Sequence, residues 1–390
     1  MANQRTALMN PGKHHLGNLF TFPPVQNRKY IDRNMIKKIQ WKTSALINRR
    51  AYIGNVKVVD KDNTSHIFTD SIFKSKSNKF DTFTLDRRID VAVGDGEEIV
   101  RLIGYADRLL QYKQNTLHII NVSGQSEYLE STHKYKGVSH PNQVCETDYG
   151  VAWCNPHGVY FYDGKQVRDL FINKGIRNIS KAKWDAFYND SDETMIGYSP
   201  SEKQLVLFQD VTSGDDVMLY DMTTTSWVEG GGRVPNKEKT NFINIWDGRL
   251  VFGYENAANK TTIEPWTSTP GTAITPFIIE TKNFDFGTQA NKKITKVYIT
   301  LKGTNPTNIV PKFSVNGGAF SGVFKDTSGN NITNIAGPGN TWTEIEMLTD
   351  GNANNVKSFA VRLEEVSSQS VVSDIQINDI TIVYRTKSVK

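Results

Sequence analysis

The run Gly104-Tyr105-Ala106-Asp107-Arg108-Leu109-Leu110 sets the theme of the chain. Variants of it recur as Tyr160-Phe161-Tyr162-Asp163-Gly164, Met218-Leu219-Tyr220-Asp221 and Asn244-Ile245-Trp246-Asp247-Gly248. Each puts an aromatic at the end of an apolar run, an Asp or Asp-Gly at the turn, and a new apolar run after it. Asp-Gly between alternating runs is a strong hairpin signal, because a two-residue primed turn needs positive φ. Successive Asp residues stand 56, 58 and 26 residues apart. That is too irregular for a consensus repeat, but it suits degenerate blades of about 40–50 residues arranged radially. The expected fold is all-β, a degenerate β-propeller-like body followed by a C-terminal β-sandwich.

Working outward, three strands are expected at Ile99–Tyr105, Arg108–Lys113 and Thr116–Val122, with Asp107 and Asn115 at the turns. A second blade follows with strands Gln143–Thr147, Gly150–Asn155, Gly158–Tyr162 and Lys165–Leu170. Ser180–Asn189 is the one expected helix, with Ser180 as N-cap and Trp184 and Phe187 on one face. Alternation begins at Arg50, and counting from there gives about five units, which the N-terminal arm is able to close into a ring. The style changes at Gly287-Thr288-Gln289-Ala290-Asn291, where Asn/Gly-rich turns begin to separate the strands. Three segments result: a basic lead-in at 1–49, a propeller-like domain at 50–287 and a β-sandwich at 288–390. The run Ile375–Tyr384 alternates strictly enough to require one buried face.

The 390 residues carry a net charge of +5, yet residues 1–50 alone carry +9 and the remainder −4. A basic arm on a near-neutral body suggests an acidic partner, either nucleic acid or an acidic protein surface; a solvated leader is the bland alternative. The docking residues expected in this arm are Arg28, Lys29, Arg33, Lys37, Lys38, Lys42, Arg49 and Arg50. No apolar stretch approaches the roughly 20 residues that span a bilayer, and the first residues lack the apolar core of a secretion signal. Synthesis in a cytoplasm and no membrane partner are therefore expected.

The search for chemistry finds little. No Gly-x-Ser-x-Gly elbow and no phosphate-binding glycine loop is present. Gly94-Asp95-Gly96-Glu97-Glu98 reads as a tight acidic turn rather than an acid–base pair. Asp60-Lys61-Asp62-Asn63-Thr64 starts like a calcium loop but has Ser65 at the glycine position and Ser71 at the bidentate position. His140 and His157 with Cys145 and Cys154 do not supply zinc spacing, and the two cysteines read as small buried side chains. Thr223–Trp227 beside Tyr220-Asp221 is kelch-like but is explained by packing. The expectations are no catalytic residues, no cofactor, no metal and no enzyme activity.

The stretch Gly94–Leu102 continuing through Asp107–Ser123, with Lys136–Pro141, Gly150-Val151-Ala152-Trp153 and the ending Asn378–Arg385, resembles virion structural proteins of tailed bacteriophages. More loosely it resembles the β-propeller tail nozzle and hub proteins of short-tailed phages. The likeness covers roughly residues 80–390, and the basic lead-in has no counterpart in it. The resemblance implies a non-enzymatic component of a tail nozzle, hub or head–tail connector that forms part of the conduit for DNA ejection. It also implies location in the virion tail, other tail or connector proteins as partners, and a homo-oligomeric ring, hexameric by preference. Contact with DNA is then transient and non-specific, because tight phosphate contacts would slow its passage; protein docking is favoured for the arm. The alternative reading is a glycan-binding adhesin or receptor-binding protein, which needs Trp342 or Trp266 as an exposed platform.

Overall fold

The computed structural model describes residues 36–387, apart from Val93, Gln125, 189–193, 210–216, 231–238, 256–259, 267–277, 304–308, 336–338 and 366–374. The chain divides into two compact units, Met1–Ser268 and Thr269–Lys390.

The first unit is a succession of antiparallel meanders. The first sheet holds β1 (Ile36–Ile47), β2 (Arg50–Asp60), β3 (Ser65–Lys76) and β4 (Lys79–Asp90). The second holds β5 (Ile99–Tyr105), β6 (Arg108–Lys113), β7 (Thr116–Asn121) and β8 (Tyr128–Lys134). The third holds β9 (Val144–Thr147), β10 (Gly150–Asn155), β11 (Gly158–Tyr162) and β12 (Val167–Asp169). A hairpin of β13 (Ile172–Asn173) and β14 (Ile176–Arg177) and the helix α1 (Lys181–Phe187) are then inserted. The fourth sheet holds β15 (Thr194–Ser199), β16 (Gln204–Gln209), β17 (Val217–Asp221) and β18 (Ser226–Gly230), and the fifth β19 (Lys239–Asn244), β20 (Leu250–Glu255) and β21 (Thr261–Pro265).

Each sheet lays one face on the next. Tyr52 and Ile72 meet Leu102, Leu109 and Ile120 between the first and second sheets. Ile103, Leu110 and Tyr112 meet Val151, Trp153 and Tyr160 between the second and third. Ala152, Phe161 and Trp184 meet Ile196 and Leu207 between the third and fourth, and Val206 and Phe208 meet Phe252 and Trp266 between the fourth and fifth. Leading strands adjoin as well, β1 against β5, β9 against β15 and β15 against β19. Consecutive meanders stacked face to face through their first strands make this an all-β, propeller-like body.

Because an inner sheet is covered on both faces, its strands read as apolar runs rather than alternations; every residue of β10 and β11 is buried. The helix forms where expected: Ser180 accepts from Lys183 N–H at 3.2 Å, and Trp184 and Phe187 are buried on one side. At Gly104 a Cβ would stand 2.3 Å from Ile47 Cγ1, so glycine lets the first and second sheets close together.

Two expectations about boundaries are corrected. The lead-in is not irregular throughout: Ile36–Ile47 is the edge strand of the first sheet, paired along β2 from Ile47↔Arg50 to Ile36↔Asp60. It is used there, and no described strand of the fifth sheet pairs with the first. The second boundary also moves, because β22 (Ile278–Glu280) pairs with a strand of the second unit and Phe284 bridges to Phe359. The units divide after Ser268 rather than at Gly287.

The second unit is a β-sandwich. Its remaining strands are β23 (Lys292–Gly303), β24 (Ile309–Val315), β25 (Gly322–Val323), β26 (Gly339–Leu348), β27 (Asn354–Val356), β28 (Phe359–Glu365) and β29 (Gln376–Thr386). One sheet runs β22-β28-β24-β25; in the other, β23 pairs with β26, β27 and β29. Val297, Ile299 and Leu301 of β23 meet Phe313, Phe359 and Leu363 in a shared core. The alternation of β29 slips where its register with β23 shifts between Ile377 and Asp379, so Ile377, Ile380 and Ile382 all reach that core.

Candidate functional site: the charged seam of the first two sheets

Of the eight docking residues expected in the arm, Arg28, Lys29 and Arg33 lie outside the described residues, as does the side chain of Lys37. Lys38 is half-buried on β1. The other three diverge sharply. The Lys42 ammonium donates to both carboxylate oxygens of Glu98 at 2.9 Å. The Arg50 guanidinium lies 3.6 Å from Glu127, which also accepts from Lys74 at 2.5 Å. Arg49 alone stands exposed without a partner among the described residues. Much of the described arm's acidic partner is thus the neighbouring sheet of the same chain.

The acidic turn after the first sheet is the centre of this network. Asp95 accepts from Lys113 Nζ at 2.8 Å on both oxygens, and Lys113 donates also to the Ala92 carbonyl at 2.7 Å. The Lys113 side chain is wholly buried, and these groups supply the partners that a buried ammonium needs. Glu97 accepts from Asn115 Nδ2 at 2.7 Å, and Glu98 also accepts from Asn55 Nδ2 at 2.9 Å. Burial works to raise the Asp95 carboxyl, but the Lys113 hydrogen bond and the Glu97 N–H hold it below the ordinary carboxylate range. The Lys42 and Asn55 hydrogen bonds hold Glu98 low in the same way. Burial, followed by the nearby charge of Glu127, pushes the Tyr52 hydroxyl up to about 12. Burial lowers His118 and keeps it neutral, with Nδ1 3.0 Å from Thr132 Oγ1. Asn48 Nδ2 donates to Asp107 at 3.1 Å, and Thr43 accepts from Leu102 N–H at 2.8 Å.

These groups brace one sheet against the next and hold each other's charges. On the leading strands of the second and third sheets, Arg101 and Glu146 face one another; burial lowers the first and raises the second. Glu146 is the one carboxylate on the five leading strands among the described residues, so no pair of acids converges there for hydrolysis. Among the described residues no group of three His, Cys, Asp or Glu side chains is placed to hold a metal. Cys145 and Cys154 are free thiols whose ionisation burial opposes. Trp227 of the kelch-like run donates to Leu170 O at 2.9 Å and packs on Tyr220, a packing role. Trp266 is 8% exposed. Trp342 is half exposed, with the Lys302 ammonium 4.8 Å over its ring.

Sequence reasoning missed Lys113 and Glu127 as members of the network. Lys113 ends a strand and reads as a solvent-facing lysine; its burial depends on a turn 18 residues earlier folding over it.

No protein-family model matches the chain, and no curated protein matches it in sequence. Solved structures similar to it include the WD40 domain of SCAP from fission yeast, at 9% identity and a TM-score of 0.33, covering 86% of this chain and 96% of that one. Kluyvelomyces marxianus Hsv2 is similar at 7% identity and a TM-score of 0.34, covering 57% and 74%. A chain of the Mitotic Checkpoint Complex is similar at 12% and 0.35, covering 63% and 83%. At these scores the likenesses add nothing to the assignment, which rests on the sheet order and stacking described above.

Proposed function

We propose that this chain is a non-catalytic structural component of a bacteriophage tail, in the nozzle, hub or head–tail connector, and forms part of the conduit for DNA ejection. The observation that carries the non-catalytic part is the use of charge. Asp95, Glu97, Glu98 and Glu127 are spent on Lys113, Asn115, Lys42, Lys74 and Arg50. Acids committed to bracing sheets are not free to exchange protons with a substrate. The tail assignment comes from the sequence resemblance over residues 80–390, and stacked sheets supply the rigid block such an assembly needs. Its partners are other tail or connector proteins and further copies of itself in a ring, six by preference, located in the virion tail. The glycan-binding alternative is left with Trp342 alone, half exposed with a lysine over its ring, since Trp266 is buried.

The test is the mass of the purified full chain in solution, followed by negative-stain imaging of any large species. A closed ring with a central hole supports the conduit, and its symmetry gives the copy number. A monomer that binds immobilised glycans overturns it in favour of the adhesin.

A further inference from the structure

We infer that the tip of the first sheet, formed by Arg49, Lys76 and Lys79 beside Phe80, is a docking surface for an acidic protein segment. The inference deepens the assembly reading and rests on it for the identity of the partner as a protein.

Two adjacent turns build the tip. Ile47 pairs with Arg50 across the two-residue loop Asn48-Arg49, and both loop residues have positive φ, 48° and 61°. That is the primed turn in which glycine is favoured at the second position, because a Cβ is strained there. Arginine occupies it instead. In the next hairpin Lys76 lies directly opposite Lys79, a like-charge pair that destabilises a sheet. Asn78 N–H donates to Arg49 O at 2.8 Å and ties the two turns together. Two locally unfavourable choices therefore meet at one place. Such breaches of local preference are expected where function rather than folding selects the residue.

The three cations are exposed, and none of their charged side-chain groups has an ion-pair or hydrogen-bond partner among the described residues. Asp81, two residues from Lys79, accepts from Thr82, and Asp107 of the second sheet's first turn accepts from Asn48. Phe80, next to Lys79, is 47% exposed. A cation one residue from a half-exposed phenylalanine offers a partner charge and apolar surface together, as a protein interface combines them. A nucleic-acid track would run as a basic stripe along the phosphates. Here the stripe is interrupted, because Glu98 pairs with Lys42 and Glu127 sits between Arg50 and Lys74. What remains is a compact positive point with an apolar neighbour, which matches a carboxylate-rich protein loop.

The experiment measures fluorescence anisotropy of a labelled oligoglutamate peptide with the full chain, at low and high salt, against labelled single-stranded and duplex DNA. The peptide binds, and salt weakens it. Removing three exposed charge contacts makes R49A/K76A/K79A bind about fivefold more weakly. K57A/K61A, which removes two other exposed lysines, on β2 and in the turn after it, binds as the parent does. Arg49→Gly separates docking from folding: it raises the unfolding midpoint by about 2 °C, because glycine relieves the turn, and still weakens peptide binding. No peptide binding, or equal binding by the triple variant, overturns the inference. DNA binding tighter than peptide binding through the same three residues overturns the protein partner. If the chain is a glycan-binding monomer yet binds the peptide through this tip, the tail reading fails and the docking surface stands.

Discussion

The seam between the first and second sheets and the seam between the third and fourth join equivalent neighbours by opposite means. The first rings its largely aliphatic core with polar crossings: Lys42–Glu98, Asn55–Glu98, Arg50–Glu127, Lys74–Glu127 and Asn48–Asp107 span it, and Lys113–Asp95 holds the connecting turn. The other is aromatic. Trp184 packs on Phe171 at 5.0 Å and Phe171 on Trp227 at 5.3 Å, while the indole N–H of Trp184 donates to Asn155 O at 3.1 Å. Gln143 and Tyr188 add one buried hydrogen bond at 3.0 Å. The inserted helix and hairpin supply that extra apolar volume. A polar seam holds its register through specific partners and depends on pH; an aromatic seam holds by area and does not.

The largest test of this contrast is Trp184→Ala. It removes the centre of the aromatic seam and costs about 3–5 kcal/mol, read from denaturant unfolding at neutral pH. A loss below about 1 kcal/mol would mean that the seam does not depend on the helix.

On the polar side, Asp95→Asn leaves the buried Lys113 ammonium without a countercharge, facing the Ala92 carbonyl and one neutral amide oxygen. The cost is about 2–3 kcal/mol, below that of a fully enclosed pair because the Asp95 side chain is 34% exposed. The same variant tests the pH contrast. Asp95 and Glu98 have folded ionisation points below their unfolded ones, so their stabilisation is present above about pH 4 and lost as pH falls through the lower folded values. His118 acts in the same direction, since a lowered histidine contributes above about pH 6.5 and loses that contribution on acidification. Hydrogen exchange on acidification should therefore open β1, β2 and β6 before β15 and β16. In Asp95→Asn this early opening should depend less on pH. Opening of the aromatic seam first would refute the assignment of the two seams.

Gly104→Ala places a methyl group 2.3 Å from Ile47 Cγ1 and costs about 1–3 kcal/mol. The double variant with Ile47→Val, which frees space at that contact, should recover part of the loss; strict additivity would show that the two residues do not meet. The smallest effect belongs to Glu98→Gln. Lys42 and Glu98 are both well exposed, so the change is at most about 1 kcal/mol and shrinks in high salt.

The repeated aromatic–Asp motif shows how far sequence alone reaches. All four copies lie at hairpin turns, between β5 and β6, β11 and β12, β17 and β18, and β19 and β20. Yet the turns are not equivalent: two join the first pair of strands in a sheet and two the last pair, which explains the uneven spacing. Nor does Asp itself take positive φ in them; Ala106, Gly164, Thr225 and Gly248 do. Asp163, Asp221 and Asp247 instead accept backbone N–H groups two or three residues on, the short-range bond that suits Asp to turns. The strands Ile99–Tyr105, Arg108–Lys113 and Gly150–Asn155 were legible to the residue. Tyr128–Lys134 was not, because it is an outer edge strand whose exposed residues carry no apolar period. Ile36–Ile47 was hidden by its interspersed lysines, of which Lys42 reaches the Glu98 carboxylate while the backbone pairs.

What the sequence determined by itself was the all-β class, the turn positions, the helix cap at Ser180 and the concentration of positive charge near the start. Those features depend on neighbours a few residues apart, where turn chemistry and side-chain period act directly. The tertiary structure alone decided where that charge goes, which lysines are buried and which unit Ile278–Glu280 joins. Each of those outcomes depends on groups tens of residues apart being brought together, and no local period records such a meeting.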